Sequence, residues 1–334
     1  MGRSDMSVLV IYTGGTFGMQ PSAAGLVPSD NIAELIEKHA DLEGCPSFDI
    51  HAIKPAIDSS NIMPEQWQTI ADVIIKHYQE YSGFVVIHGT DTLAFTSSIL
   101  SFLLQGLDKT VVVTGAQIPL ALPKNDAEQN FKQSLHVANA SFNEVVIVFD
   151  QKVLRGNRST KFDSSELAAF QSPTLAPVAD LKTDSYEILS STLKNDDLKL
   201  ENLSFNNHAV GIIALHPGIN PTQLLTLASC YKGIILRTFG TGNMPTANAE
   251  FYQALKTLHQ QGLILVNTSQ CPTPKVKMGH YADSAVGDDI TLLNGHNMTM
   301  EAAFTKLHYL LAKGLESDQI KIEFERNIAG ELDN

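Results

Sequence analysis

Short runs of apolar and β-branched residues punctuate the chain at Val8–Tyr12, Phe84–His88, Thr110–Thr114, Val145–Phe149, Gly211–Leu215, Gly233–Leu236 and Leu263–Asn267. They lack the polar alternation of a half-exposed sheet, so they read as strands covered on both faces. Phe48–Lys54 reads as a further strand. Amphipathic stretches lie between the runs. Pro64 stands at a first helical position, and Trp67, Ile70, Ala71, Ile74 and Tyr78 mark one face at helical spacing. Ser29 or Asp30 is placed to cap a helix carrying Ile32, Leu35 and Ile36, and Thr299 introduces another that runs through Leu310 and Leu311. Strands alternating with helices predict an α/β fold: mostly parallel sheets with helices on both faces.

The chain has 334 residues, enough for two domains. The stretch from Lys182 to Asn207 is rich in Ser, Asn, Asp and Lys and weakly periodic, so it reads as the connection between them. The predicted organisation is a larger N-terminal α/β domain over residues 1–190 with a flavodoxin-like sheet, a linker over 191–208, and a smaller C-terminal α/β domain over 209–334.

A formal net charge of −13 repels phosphate backbones and argues against a nucleic-acid partner. Cys45, Cys230 and Cys271 are odd in number and far apart, which fits a reducing compartment, and the expected location is cytoplasmic. The apolar run near the start is too short for a signal-peptide core or a membrane span.

Ligands of open parallel sheets bind beyond the carboxyl ends of the strands, so the residues following each run carry the chemical information. The first run leads into Thr13-Gly-Gly-Thr16, the second into Gly89-Thr-Asp-Thr92, the third into Thr114-Gly-Ala-Gln117. Glycines admit close approach of backbone N–H groups to a ligand, and they are also ordinary turn residues. Three hydroxyl-bearing loops at one sheet edge favour the chemical reading. A hydroxyl needs a proton acceptor before it is a strong nucleophile. No G-x-S-x-G elbow, zinc spacing, P-loop or dinucleotide fingerprint is present, so neither metal nor nucleotide cofactor is expected. Lysine and tyrosine remain as candidate bases. Lys161, ending Arg155-Gly-Asn-Arg-Ser-Thr-Lys161, follows the fourth run near the same edge, where desolvation would make it a base. A solvated surface lysine is the alternative. Asp58-Ser-Ser60 offers a carboxylate and hydroxyls to a zwitterionic ligand, or a helix cap before Pro64.

Thr13-Gly-Gly-Thr16, His88-Gly-Thr-Asp-Thr92 and the lysine of Arg155-Gly-Asn-Arg-Ser-Thr-Lys161 together resemble the bacterial-type L-asparaginase family, most closely its cytoplasmic type I branch. The likeness runs along nearly the whole chain and includes Asp58-Ser-Ser60, Thr114-Gly-Ala-Gln117, Phe239-Gly-Thr-Gly-Asn243, Asn267-Thr-Ser-Gln-Cys271 and Thr305-Lys-Leu-His-Tyr309. The resemblance implies that Thr13 is the acylating nucleophile and that Thr90, Asp91 and Lys161 form a second triad. It implies that Ser59 and Ser60 hold the α-carboxylate of L-asparagine, that Ala116 offers its carbonyl to the side-chain amide, and that Asn243 completes a neighbouring subunit's site. A homotetramer built from dimers follows, as does a regulatory asparagine site near Thr160, Arg237 and Cys271. Many relatives carry a tyrosine on the loop after the first strand where this chain has Leu26; Tyr281, in Met278-Gly-His-Tyr281, is the candidate substitute. The implied reaction is hydrolysis of L-asparagine to L-aspartate and ammonia through a β-aspartyl ester, without a cofactor. A mixed glutaminase–asparaginase, a non-catalytic amino-acid sensor on the same fold and, less readily for so acidic a chain, an RNA-facing amidotransferase subunit are the alternatives.

Overall fold

A computed structural model describes residues 6–181, 187–189, 193, 197–278 and 289–333, with backbone alone at 187 and 188. The chain divides into two compact units, Met1–Asn202 and Leu203–Asn334.

The N-terminal unit is built on one eight-stranded sheet: β1 (Val8–Tyr12), β2 (Phe48–Ala52), β3 (Gly83–Ile87), β4 (Val111–Thr114), β5 (Val145–Phe149), β6 (Lys152–Arg155), β7 (Ala179–Asp180) and β8 (Glu187–Ile188). From one edge the order is β2-β1-β3-β4-β5, all parallel, and then β6, β7 and β8, each antiparallel to the strand before it. The parallel part has the doubly wound order 2-1-3-4-5, which reverses direction between β1 and β3 and opens a crevice there at the carboxyl ends. The register aligns those ends: Tyr12 pairs with both Ala52 and Ile87, and Ile87 with Thr114. β1, β3, β4 and β5 are buried throughout, as their continuous apolar sequence requires.

Among the described residues, the helices of this unit are α1 (Ile32–His39), α2 (Pro64–His77), α3 (Leu93–Leu103) and α4 (Ala127–Asn139). Ile32, Leu35 and Ile36 of α1 and Phe131 and Leu135 of α4 join Val10, Val85, Val112 and Val146 in one core. The cap of α1 differs from expectation. Asn31 Oδ1 accepts from Glu34 N at 3.4 Å, while the expected Ser29 donates to the Asn31 carbonyl at 3.2 Å and so orients the capping residue instead. α2 begins at Pro64 as read, with Gln66 Oε1 accepting from Met63 N at 2.7 Å. Met19–Ser22 and Gly25–Pro28 form a small antiparallel hairpin that places Leu26, 47% exposed, at its tip side. Within the stretch read as a connection, Lys199–Leu200 pairs with Leu104–Gln105 at the end of α3, so that part is held on the N-terminal unit.

The C-terminal unit carries a four-stranded parallel sheet: β9 (Val210–Ala214), β10 (Gly233–Thr238), β11 (Ile264–Ser269) and β12 (Leu292–Asn294), in that spatial order. α5 (Pro221–Ala228) and α6 (Ala249–Gln260) pack over Ile213, Leu236 and Leu265, and α7 (Met300–Ala312) lies against β9 and β10. Thr299 caps α7, as read, accepting from Ala302 N at 3.2 Å. α8 (Ser317–Glu325) packs on α7. Lys306 of α7 pairs with Glu331 with neither side chain exposed. Among the described residues no helix is long and apolar enough to cross a membrane.

Candidate active site

The loops after β1 and β3 flank the point where the strand order reverses, and they touch through glycine. Gly15 has φ +87°, and a Cβ there would sit 2.5 Å from Gly89 Cα; a Cβ on Gly89 would sit 2.4 Å from Ser59 Oγ. Glycine at 15 and 89 lets two backbones meet, and glycine at 89 also admits the Ser59 side chain. The sequence therefore brings the Thr13, Thr90 and Ser59 loops together by omitting two methyl groups.

Thr13 is 1% exposed. Its N–H donates to the Ile87 carbonyl at 3.0 Å and its Oγ1 donates to the same oxygen at 2.9 Å. The hydroxyl is thus fixed against the end of β3, one residue before His88.

Lys161 stands on the short strand Thr160–Lys161, paired with Phe170–Gln171. Its Nζ donates to Thr90 Oγ1 at 2.9 Å and to Asp91 Oδ1 at 2.7 Å. Thr90 is buried, while Asp91 keeps 62% of its side chain exposed. The segment before Lys161 is anchored in the fold. Arg155 Nε meets Glu144 Oε2 at 2.7 Å in a buried pair, and Ser97 of α3 donates to the Gly156 carbonyl at 2.8 Å. Burial pushes the Glu144 carboxyl up from its usual range, against the pull of the Arg155 guanidinium. These contacts give a long lysine a defined place beside Thr90.

Sequence reasoning assigned no role to Gln117. Thr90 Oγ1 donates to Gln117 Oε1 at 3.2 Å, and Gln117 Nε2 donates to the carbonyls of Ser164 and Glu166 at 3.2 and 3.3 Å. With Lys161 donating into the oxygen and Gln117 accepting the proton, the direction of the Thr90 hydroxyl is set. The loop was legible from its Thr114-Gly-Ala-Gln117 motif; the amide's use was not. Ala116 is buried in the same loop, which Asn130 fixes by donating to the Gly115 carbonyl at 3.1 Å.

Asp58 caps the single turn Ser59–Asn61 rather than α2: Ser60 N and Ser60 Oγ donate to its two oxygens at 3.1 and 2.9 Å. Ser59 is buried, and its carbonyl accepts from Thr92 Oγ1 at 2.7 Å, which ties this turn to the loop after β3. Thr13, Ser59, Ser60, Thr90, Asp91, Ala116, Lys161 and Thr160 all belong to the N-terminal unit. Asn243, Arg237 and Cys271 belong to the C-terminal unit. Asn243 closes a turn on Phe239 after β10, and its Oδ1 is buried without a hydrogen bond among the described residues. Arg237 Nε is likewise buried and unpartnered among the described residues. Cys271 is exposed. Tyr281 lies outside the described residues. No cluster of three or more His, Cys, Asp or Glu side chains suited to a metal ion occurs among the described residues.

Fold and site together define a two-domain α/β protein that gathers threonine hydroxyls, a carboxylate and a lysine ammonium at a topological switch point. Family models for "Asparaginase, N-terminal" and "Glutaminase/Asparaginase C-terminal domain" match residues 7–194 and 209–324. L-asparaginase 1 of Escherichia coli (strain K12) is 39% identical over 98% of both chains. The crystal structure of L-asparaginase I from Vibrio cholerae superposes with a TM-score of 0.87 at 37% identity, covering 98% of this chain and 99% of that one. The thermostable L-asparaginase from Thermococcus kodakarensis gives a TM-score of 0.90 at 30% identity over 98% and 100%. The chain belongs to the asparaginase family.

Proposed function

We propose that this protein hydrolyses L-asparagine to L-aspartate and ammonia by double displacement. Thr13 Oγ attacks the side-chain amide carbon. The Thr13 proton passes to the amide nitrogen, the C–N bond breaks and ammonia leaves a β-aspartyl ester on Thr13. Water then attacks that ester, its proton returns to Thr13 Oγ, and L-aspartate departs. Backbone N–H groups of the loops carrying Thr13 and Thr90 stabilise the oxyanion of each tetrahedral intermediate, where one donor is typically worth about 3–4 kcal/mol. Thr90, polarised by Lys161, positions the water, and Asp91 receives the substrate's α-amino group. Ser59 and Ser60 meet the α-carboxylate, and the Ala116 carbonyl meets the amide. The observation that carries this reading is Lys161 Nζ within hydrogen-bond reach of both Thr90 and Asp91, on the loop that packs against that of Thr13.

Tyr281 is the proposed activator of Thr13, since Leu26 has no proton to exchange. An unchanged kcat in Tyr281→Phe would remove it from that role. Glutamine is the competing substrate, because the C-terminal family model bears both names and one methylene is worth only about 1–3 kcal/mol. The protein is further proposed to be cytoplasmic and to assemble as a homotetramer built from dimers in which Asn243 serves a neighbouring site; a monomer with full activity on size exclusion contradicts the assembly. Thr160, Arg237 and Cys271 are the proposed regulatory asparagine site. Arg237 Nε, unpartnered among the described residues, supports an anionic ligand there, and strictly hyperbolic rate curves would rule the site out. Ammonia release from both amides over a wide concentration range tests reaction, selectivity and cooperativity together.

A further inference from the structure

His88 precedes Gly89 and Thr90 in the loop after β3, yet its side chain points away from the site. It is 1% exposed and reaches no solvent. Its Nδ1 lies 2.8 Å from the Gly89 carbonyl oxygen and its Nε2 3.0 Å from Thr96 Oγ1 on α3. A carbonyl oxygen can only accept, so Nδ1 carries the proton, and Nε2 accepts from the Thr96 hydroxyl. Burial lowers the pKa of this imidazole to about 4, so it is neutral at physiological pH and holds one tautomer.

The Gly89–Thr90 peptide is trans and planar, so its C=O and N–H point in opposite directions. With the Gly89 carbonyl turned inward to His88, the Thr90 N–H is turned the other way, and it makes no hydrogen bond among the described residues. The backbone before it has no slack. A Cβ on Gly115 would meet the His88 carbonyl at 2.3 Å, and Gly89 lies between Gly15 and Ser59. The free choice left is rotation of the Gly89–Thr90 peptide plane, and the imidazole governs it.

We infer that His88 is a positioning residue, which through its Nδ1–H bond to the Gly89 carbonyl aims the Thr90 N–H into the site as an oxyanion donor. This rests on the amide-hydrolysis reading above. The imidazole neither touches substrate nor moves a proton; it acts through the peptide it holds.

Two measurements test this. In ¹⁵N-histidine protein, the His88 imidazole, assigned by its loss in His88→Asn, shows the Nδ1–H tautomer and remains neutral at pH 6; the Nε2–H tautomer would overturn the inference whatever the activity. In kinetics with L-asparagine, His88→Asn retains an N–H donor near the Nδ1 position and keeps kcat within about tenfold of wild type. His88→Leu removes the donor and lowers kcat by about 10²–10³-fold, the loss typical of one oxyanion donor, with KM changed less than threefold. Equal kcat in wild type and His88→Leu, or equal losses in both variants, overturns the role. A wild-type protein inactive on both amides overturns the functional reading itself, and with it the oxyanion role. If His88→Leu does not fold, the tautomer of the wild-type ring still decides.

Discussion

Gly15 and Gly89 meet backbone to backbone, so closely that one methyl group on Gly15 would lie 2.5 Å from the Gly89 Cα. This contact packs the loop of Thr13 against the loop of Thr90. Gly15→Ala adds the methyl and also forces alanine to φ +87°. Overpacking and left-handed backbone each cost roughly 1–3 kcal/mol. The expected outcome is a lowered urea midpoint and a loss of amidase activity larger than the stability change explains. Gly25→Ala, also at positive φ but with open space around it, serves as the control and keeps activity.

Gln117 accepts the Thr90 proton while Lys161 donates to the Thr90 oxygen. Gln117→Leu removes the acceptor and both ties to the Ser164 and Glu166 carbonyls. At roughly 1 kcal/mol for one hydrogen bond, kcat should fall about five- to tenfold. Lys161→Met removes the group that polarises Thr90, and the expected fall is about 10²–10⁴-fold, the range of positioned proton transfer. Steady-state kinetics on purified variants checks the ordering: a Gln117 effect exceeding the Lys161 effect contradicts the assigned roles.

Much of this was legible in the sequence, for a physical reason. Strands buried on both faces must be continuously apolar, so Val8–Tyr12 and Val145–Phe149 appear in the structure with the bounds read from the pattern. The first of them leads into Thr13, whose hydroxyl the structure fixes on the Ile87 carbonyl. One edge of each sheet was not legible, although Phe48–Ala52 at the other edge of the N-terminal sheet was. Ala179–Asp180 and Glu187–Ile188 are two residues each, too short for any period, and β12 has three. The cap of α1 fell on Asn31 rather than Ser29 or Asp30 because all three residue types accept from a helix N-terminus, and only the backbone path decides between them. His88 and Gln117 escaped notice because one is held by the carbonyl of the next residue, which no side-chain motif marks, and the other by a hydroxyl distant in sequence.

Two buried histidines set an acid limit on stability. Burial holds His88 and His308 at a pKa of about 4, against an ordinary value of 6.5. The unfolded chain therefore binds more protons than the folded one between those values. Stability is complete above about pH 6.5 and declines as pH falls toward 4, by about 3 kcal/mol for each histidine at most. Glu144, whose pKa is raised by burial, works in the opposite direction, so the total slope is smaller. Chemical denaturation from pH 4 to 7 measures it, and the His88→Asn variant should show a shallower slope than wild type. An identical slope contradicts a neutral buried His88.

The C-terminal unit has its own test. Lys306 is fully buried, donating to Glu331 and, at 2.6 Å, to the Arg326 carbonyl. Removing one partner of such a pair strands the other, at a typical cost of about 3–5 kcal/mol. Lys306→Met should lower the unfolding midpoint clearly, and Lys306→Met with Glu331→Gln should recover part of the loss. A double variant no more stable than the single one would show that the pair is not the source.

The central claim is that Thr13 carries the acyl group. Rapid acid quench of the protein with L-asparagine, followed by peptide mass analysis, tests it directly. The expected result is an aspartyl adduct on the peptide containing Thr13, absent in Thr13→Ala, together with loss of ammonia release in that variant. Ammonia release that persists in Thr13→Ala would contradict it.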